Sequence, residues 1–353
     1  MSRTEPVTDP GDRRALVERR IGYLRGLVSD SGSAGVLLGT RRDVAWATAG
    51  GALFVVAGSD VAVAPLLVTA DGEAVVIAPI NEAGRLADEE LDGLPIEVVT
   101  VPWEDASAIE AETTRRAGRT YERMLTGAPL AAAIAGERMR LAPLEHARMR
   151  WLGAEVTAAL DEAATVAAPG ATESAVASAA ASVLLAGGSR VPVLLAAADE
   201  RLRYRHPLPG TAAIRGRLMV VVVAERWGLH VAGTRMLWAS PGAADGAAAF
   251  EAADAAVRRV LEAMAAASRP GATLGEVMGV AQAAYAAEGM PDEWRNHHQG
   301  GTIGYGPRER IATPGDPTVL EAGMAVAWNP SVPGGKTEAT YLIGADGLEP
   351  VAG

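Results

Sequence analysis

One pattern occurs twice in the second half of the chain, and it constrains the fold more than any other feature. Each copy is a long helical segment that stops at Pro-Gly and is followed by Thr at the start of another helix. The stops are Pro169-Gly170 and Pro270-Gly271, 101 residues apart. Proline and glycine end helices, whereas threonine caps them. The repetition predicts two halves, each a helix pair followed by strands, packed face to face.

The spacing of apolar and turn residues divides the chain into two predicted domains, 1–140 and 141–353. The first is a small α/β domain. Its strands are expected at 35–40, 44–50, 52–58, 96–103 and 131–137 and on both sides of a turn at 70–73, and its helices at 12–30, 81–91 and 107–125. The second begins with long helices. They are expected at 143–166, 172–186 and 243–266, with strands at 191–197, 217–229 and 230–239. The predicted fold class is therefore α+β.

Composition and charge exclude several classes of partner. The net charge of −11 argues against nucleic acid, because phosphate binding needs a basic surface. No stretch of 18 uncharged apolar residues indicates a membrane span, and no apolar run follows the charged N-terminus as a signal peptide requires. We therefore expect a cytoplasmic protein with no nucleic-acid or membrane partner. The absence of cysteine removes disulfides and thiolate chemistry.

The stretch from Trp294 to Thr340 concentrates the residues most suited to chemistry. It contains His297, His298 and Lys336, the only lysine, between many Gly and Pro residues. Short strands joined by tight turns are expected here, and such loops often carry sites. Adjacent residues of a strand face opposite ways, so at most one of the two histidines is expected to reach a shared site.

Seven segments between residues 143 and 349 occur in the order found in a known superfamily. They are PGATESAV, RHPLP, WGLHVAGTRMLW, RPGATLGEV, HHQGGTIGYGPRE, MAVAWNP and KTEATYLI. Together they resemble the creatinase, prolidase and methionine aminopeptidase superfamily. The resemblance implies a duplicated pita-bread catalytic domain, preceded by a smaller creatinase-type N-terminal domain. It also implies a homodimer.

The residues that bind metal in that superfamily are largely missing here. The resemblance implies two divalent ions held by two Asp, one His and two Glu. These ligand positions fall on Val221, Ala232, Gly301, Asn329 and Glu338. Val, Ala and Gly have no donor atom, and one carboxylate cannot hold a dinuclear pair. We therefore expect no metal and no other cofactor, as in creatinase, which works through a histidine and carboxylates.

Three functions are compatible with these residues. The first is a metal-independent, creatinase-like hydrolase or related C–N bond enzyme acting on a small amino-acid-like, amide or guanidino substrate. Its catalytic residues are predicted to be His206 and Glu338, because imidazole both accepts and gives protons near neutral pH. Its substrate-binding residues are predicted to be Arg235, His297, His298, Asn329, Lys336 and Trp328. The second is an inactive pseudoenzyme with a binding role, and the third is an Xaa-Pro aminopeptidase or prolidase that retains metal.

Several of these side chains also have purely structural explanations. Arg235 is equally suited to a structural salt bridge, and Trp328 to the core. Glu338 is also compatible with an exposed strand, where Lys336, two residues away, would share its face. The sequence leaves the substrate and the role of Glu309 open.

Overall fold

The computed structural model describes residues 9–118, 121–239 and 246–353. These residues form two compact units, the first ending at Arg138 and the second beginning at Met139. Both units combine helices with sheets, as an α+β fold requires. Among the described helices, none is long and apolar enough to cross a membrane.

The first unit is a five-stranded mixed sheet with helices. Its strands are β1 (Gly35–Thr40), β2 (Val61–Thr69), β3 (Ala74–Pro79), β4 (Glu97–Val101) and β5 (Met124–Leu125), in the order β4-β3-β2-β1-β5. Its helices are α1 (Pro10–Ser31), α2 (Arg41–Ala47), α3 (Ile80–Arg85), α4 (Ala108–Ala117) and α5 (Gly127–Met139). The predicted hairpin turn is confirmed, since Val68 pairs with Ala74 and Gly72 has a φ of 96°.

Three strands predicted for this unit were wrong. The segment 44–50 begins inside helix α2. This helix is stabilised at its start by Thr40, whose hydroxyl accepts from the Asp43 amide at 3.1 Å. Residues 52–58 form no strand, and the side chains of Val55 and Val56 are exposed. Residues 131–137 lie in α5, an alanine-rich segment whose buried positions recur every four residues.

A predicted helix in the same unit is shorter than expected. The pattern at 107–125 predicted one helix, but α4 ends at Ala117 and Gly118 follows it with a φ of 61°. Glycine adopts this left-handed conformation without steric penalty and commonly ends helices there. Two of the remaining residues, Met124 and Leu125, form strand β5, which pairs with β1 and extends the sheet.

The second unit begins with two long helices, α6 (Pro143–Val166) and α7 (Glu173–Ala186). A second pair, α8 (Ala247–Ala267) and α9 (Leu274–Ala287), follows later in the chain. The first residues of the helix predicted at 243–266 lie outside the described residues.

Both predicted threonine caps are confirmed. The hydroxyl of Thr172 accepts from the Ala175 amide, and that of Thr273 from the Glu276 amide, each at 3.1 Å. Each cap residue also forms an isolated antiparallel bridge, to Ala213 in one case and to Val319 in the other. The two Pro-Gly-Thr segments therefore have the same local structure.

The strands of the second unit form three sheets. Strands β6 (Arg190–Ala198), β7 (Arg217–Arg226) and β8 (Leu229–Trp238) make one antiparallel sheet. The larger sheet has the order β10-β9-β11-β14-β15, from β9 (Gly300–Ile303), β10 (Arg310–Ile311), β11 (Ala325–Trp328), β14 (Ala339–Ile343) and β15 (Leu348–Ala352). A short hairpin pairs β12 (Ser331–Val332) with β13 (Gly335–Lys336).

Polar contacts join the two larger sheets at β8 and the residues around the start of β14. The Thr340 hydroxyl accepts from the Ala232 amide at 3.0 Å and donates to the Ala232 carbonyl at 2.8 Å. Two residues along, the Thr234 amide donates to the Glu338 carbonyl at 3.1 Å. These contacts bring β8 beside Glu338, where the candidate site lies.

Candidate active site

Three histidines from two distant parts of the chain meet in the second unit. His206 follows a 3₁₀ turn at Asp199–Arg203, and His297 and His298 lie between another such turn and β9. One ring nitrogen of each residue lies within 4.8 Å of the others. His206 is the exposed member of the group, whereas His297 is buried.

The buried amide of Gln299 holds the loop that carries two of the histidines. Its Nε2 donates to the His297 carbonyl at 2.5 Å and to the Trp294 carbonyl at 3.1 Å. Its oxygen accepts from the Tyr285 hydroxyl of α9 at 2.7 Å. The loop is therefore tied to a helix of the core, which gives its side chains defined positions.

The histidine rings contact one another directly. The Nε2 atoms of His206 and His297 are 3.0 Å apart, a hydrogen-bond distance in which one ring donates and the other accepts. The rings of His297 and His298 stack with centroids 4.5 Å apart. The prediction that at most one of the adjacent pair reaches a shared site was wrong. His298 precedes β9, so the alternation of a strand does not apply to the pair.

The environment keeps all three imidazoles neutral. Burial lowers the pKa of His297 to about 2 and that of His298 to about 4. Burial and the nearby Lys336 ammonium also lower the pKa of His206. A neutral imidazole has one lone pair free to accept a proton, but His297 and His298 are weak bases at these pKa values, which leaves His206 as the proton acceptor of the cluster.

Lys336 contributes a buried positive charge beside the cluster. Its ammonium donates to the Arg205 carbonyl at 3.4 Å, and among the described residues it has no ion pair. Burial lowers its pKa to about 8, although the Glu338 charge acts in the opposite direction. A cation this deeply buried strongly favours an anionic partner.

Asn329 adds a neutral polar group on the same stretch of chain. The residue is buried, and its side-chain oxygen has no hydrogen-bond partner within the described part of the chain. An unpaired buried carbonyl oxygen is costly unless a ligand or water donates to it. Its position is therefore suited to accepting a hydrogen bond from a bound molecule.

Glu338 is fully engaged by protein groups. One carboxylate oxygen accepts from Arg308 Nη2 at 2.5 Å, and the other accepts from the Thr234 hydroxyl at 3.2 Å. Lys336, the partner suggested by sequence, does not form this ion pair. Arg308 therefore provides the positive charge beside this carboxylate, as a metal cation would.

Three of the five positions that the resemblance assigns to metal ligands carry residues without a ligating side-chain atom. Ala232 and Val221 offer no donor atom. A Cβ at Gly301 would lie 1.9 Å from the Arg310 carbonyl oxygen, so the backbone excludes any side chain at that position. Its φ of 154° also disfavours other residues. Strands β9 and β10 lie too close together at this position for the histidine that the resemblance calls for.

Two residues predicted to bind substrate point elsewhere. Arg235 neighbours Thr234 on β8, so its side chain lies on the other face of the sheet, where it pairs with Asp161 of α6. Trp328 is fully buried against α8 and α9, and its indole nitrogen donates to Ser268 at 2.9 Å. Both therefore have the structural role that their residue types also allowed.

Sequence reasoning missed Arg308 and Arg205. Arg308 neutralises Glu338, and Arg205 pairs with Glu293 while donating to Ser331 at 3.3 Å. A signal for Arg308 was present, because the superfamily pattern has His immediately before the Glu that aligns with Glu309. Because arginine is always protonated, an arginine at that position gives the site a permanent positive charge.

The protein has two α+β units, and its second unit contains the cluster of three histidines and the buried Lys336. The model of metallopeptidase family M24 matches residues 147–346, so the chain belongs to this family. The superfamily expected from the seven segments is thereby confirmed. Among curated protein sequences, none matches this chain.

Solved structures of similar fold cover almost the whole chain. The dipeptidase PepE of Mycobacterium ulcerans is 19% identical, with a TM-score of 0.74 over 96% of each chain. An Xaa-Pro dipeptidase from Bacillus anthracis is 17% identical, with a TM-score of 0.74 over 95% of this chain and 97% of the other. The prolidase of Pyrococcus furiosus is 16% identical, with a TM-score of 0.72 over 94% and 99%. At these identities the similarity shows the pita-bread fold.

Proposed function

We propose that this chain hydrolyses a C–N bond in a small amino-acid-like substrate and does so without the dinuclear metal centre of its family. The exposed imidazole of His206, held at 3.0 Å by the buried His297, is the observation that carries this proposal. His206 takes a proton from the attacking water and returns it to the leaving nitrogen. Positioned histidines contribute about 10²- to 10⁴-fold in rate in such steps.

The buried charge of Lys336 indicates the class of substrate. It lies close enough to His206 to lower the pKa of that imidazole, and no carboxylate of the described residues pairs with it. A substrate carboxylate would provide the missing anion, and the oxygen of Asn329 would accept a hydrogen bond from a substrate amide.

Small peptides are the first substrates to test. Two of the similar solved structures are described as dipeptidases and a third as a prolidase, and a dipeptide presents both a carboxylate and a C–N bond. Guanidino acids share both features and small amides share the C–N bond, and these compounds form the rest of the proposed class. This proposal differs from a metal-dependent Xaa-Pro peptidase in the ligand positions that carry no ligand, whereas the two share dipeptides as substrates.

The experiment is a hydrolysis screen on protein stripped of metal by a chelator. Dipeptides with and without C-terminal proline, small amides and guanidino acids are supplied, and the released amine is measured. We expect activity that survives the chelator and is lost in His206→Ala. His146→Ala is the control, because His146 lies on α6 and bonds to the Gly323 carbonyl instead. No turnover in any class would favour the pseudoenzyme, and activity that requires added metal would favour the metallopeptidase.

A further inference from the structure

We propose that His206, His297 and His298 together bind one divalent transition-metal ion, at a place distinct from the five ligand positions of the family. Each ring supplies one nitrogen, and the three nitrogens lie within 4.8 Å of one another. Three histidines with an open fourth position are an established way of holding zinc. No ligand position of the lost dinuclear centre is part of this group.

The distances suit a shared ion after a small adjustment. Two Zn–N bonds of about 2.0–2.1 Å at a tetrahedral angle place their nitrogens about 3.3 Å apart. The Nε2 atoms of His206 and His297 are already 3.0 Å apart. No pair needs to close by more than about 1.5 Å, since all three nitrogens lie within 4.8 Å of one another. His206 is exposed and follows a turn, so its side chain has room to make that change.

Unpaired nitrogens in the cluster give independent support. The Nδ1 atoms of both His297 and His298 are buried and have no hydrogen-bond partner within the described residues. Leaving a buried polar atom unpaired destabilises the protein. An ion held by the Nε2 atoms of His206 and His297 leaves Nδ1 of His297 unpaired, so only the Nδ1 atom of His298 is available to it.

The ligand type and the surrounding charges restrict which ions fit. Imidazole nitrogens suit Zn²⁺, Ni²⁺, Co²⁺ and Cu²⁺, whereas Mg²⁺ and Ca²⁺ require oxygen ligands. The charges of Glu338 and Arg308 offset each other through their ion pair. The ammonium of Lys336 remains and opposes a cation. Binding should therefore be weaker than at a structural zinc site and should tighten when this lysine is replaced by methionine.

Metal binding and the proposed hydrolysis compete for the same atom. The lone pair of His206 either accepts a proton from water or binds the ion. An ion at this site should therefore inhibit the proposed activity, the reverse of the role that metals have in a metallopeptidase. The site itself does not rest on the proposed function, because its occupancy is measured without substrate.

The test is a titration of chelator-treated protein with Co²⁺, followed by its visible absorption, and with Zn²⁺, followed by calorimetry. We expect one ion per chain and the spectrum of a four-coordinate cobalt–imidazole site. His206→Ala, His297→Ala and His298→Ala should each weaken binding at least about 10-fold, on the scale known for disturbed metal sites. His146→Ala should bind as the wild type does, and circular dichroism should confirm that every variant is folded.

Three outcomes would overturn the proposal. The first is no binding of either ion at millimolar concentration. The second is binding that the histidine variants retain. The third is saturation at two ions per chain that is lost in Glu338→Gln, which would place the metals at the family positions. Failure of hydrolysis alone leaves the titration unaffected, so the two proposals fail separately.

Discussion

Arg308 Nη2 donates to Glu338 Oε1 at 2.5 Å, and both side chains are largely buried, with exposures of 14% and 3%. Glu338 is the one carboxylate left of the five positions that the resemblance assigns to metal ligands. Its charge is neutralised by a residue of the same chain. The arginine therefore explains how this carboxylate persists in the interior without relying on a metal ion.

Breaking this ion pair should destabilise the protein strongly. Arg308→Met leaves the Glu338 carboxylate buried without its cation, and removal of one partner of a buried pair costs about 3–5 kcal/mol. The free energy of unfolding in urea measures the loss. The double variant Arg308→Met with Glu338→Gln should recover much of it, because no unpaired charge remains. Equal losses in the single and double variants would contradict an ion pair of this kind.

Lys336 should make stability depend on pH in the alkaline range. Its pKa falls from 10.5 in the unfolded chain to about 8 in the folded protein because the ammonium is buried. Between these values the unfolded chain binds more protons, so stability rises with pH. Lys336→Met should therefore be more stable than the wild type at pH 7, by up to about 3 kcal/mol for a shift of this size. That advantage should shrink between pH 8 and 10.5.

Unfolding curves of both proteins at pH 7, 9 and 10.5 provide the measurement. Arg205→Met is a useful comparison, because its guanidinium stays charged throughout this range. A constant difference between wild type and Lys336→Met at all three pH values would show that the lysine is not titrating in this window.

The pKa of His206 should also respond to Lys336. Burial is the larger cause of its lowered pKa, and the positive charge of Lys336 is the next. Lys336→Met should raise this pKa towards 6.5, so the acidic limb of the pH–rate profile should move to higher pH. Titration of the His206 ring by NMR measures the same shift without substrate. An unchanged or lower pKa in the variant would mean that the two groups are not coupled.

The features that sequence predicted well are those determined locally. The caps at Thr172 and Thr273 depend on a few neighbouring residues, and both were found where expected. The resemblance implied that His206 and one of His297 and His298 share a site, but the contact of all three rings depends on the packing of the whole unit and was not expected. Arg235 and Trp328 were assigned by motif, but the direction in which each side chain points depends on strand pairing. The strand expected at 131–137 failed because apolar alanines suit a helix equally well.

The resemblance also predicts a homodimer. Creatinase-like proteins commonly pair through both domains, so we expect a particle of twice the 36.3 kDa chain mass. Light scattering on the eluate of a sizing column at micromolar concentration measures this mass directly. A mass of one chain across that range would exclude the dimer.

We propose that His206 transfers the protons of the hydrolysis without the dinuclear centre of the family. The most direct test compares metal-stripped wild type with metal-stripped His206→Ala on the most rapidly cleaved substrate of the screen. We expect the wild type to keep its rate in the chelator and the folded variant to lose about 10²- to 10⁴-fold in kcat. A wild-type rate that disappears in the chelator and returns with two metal equivalents would contradict the proposal.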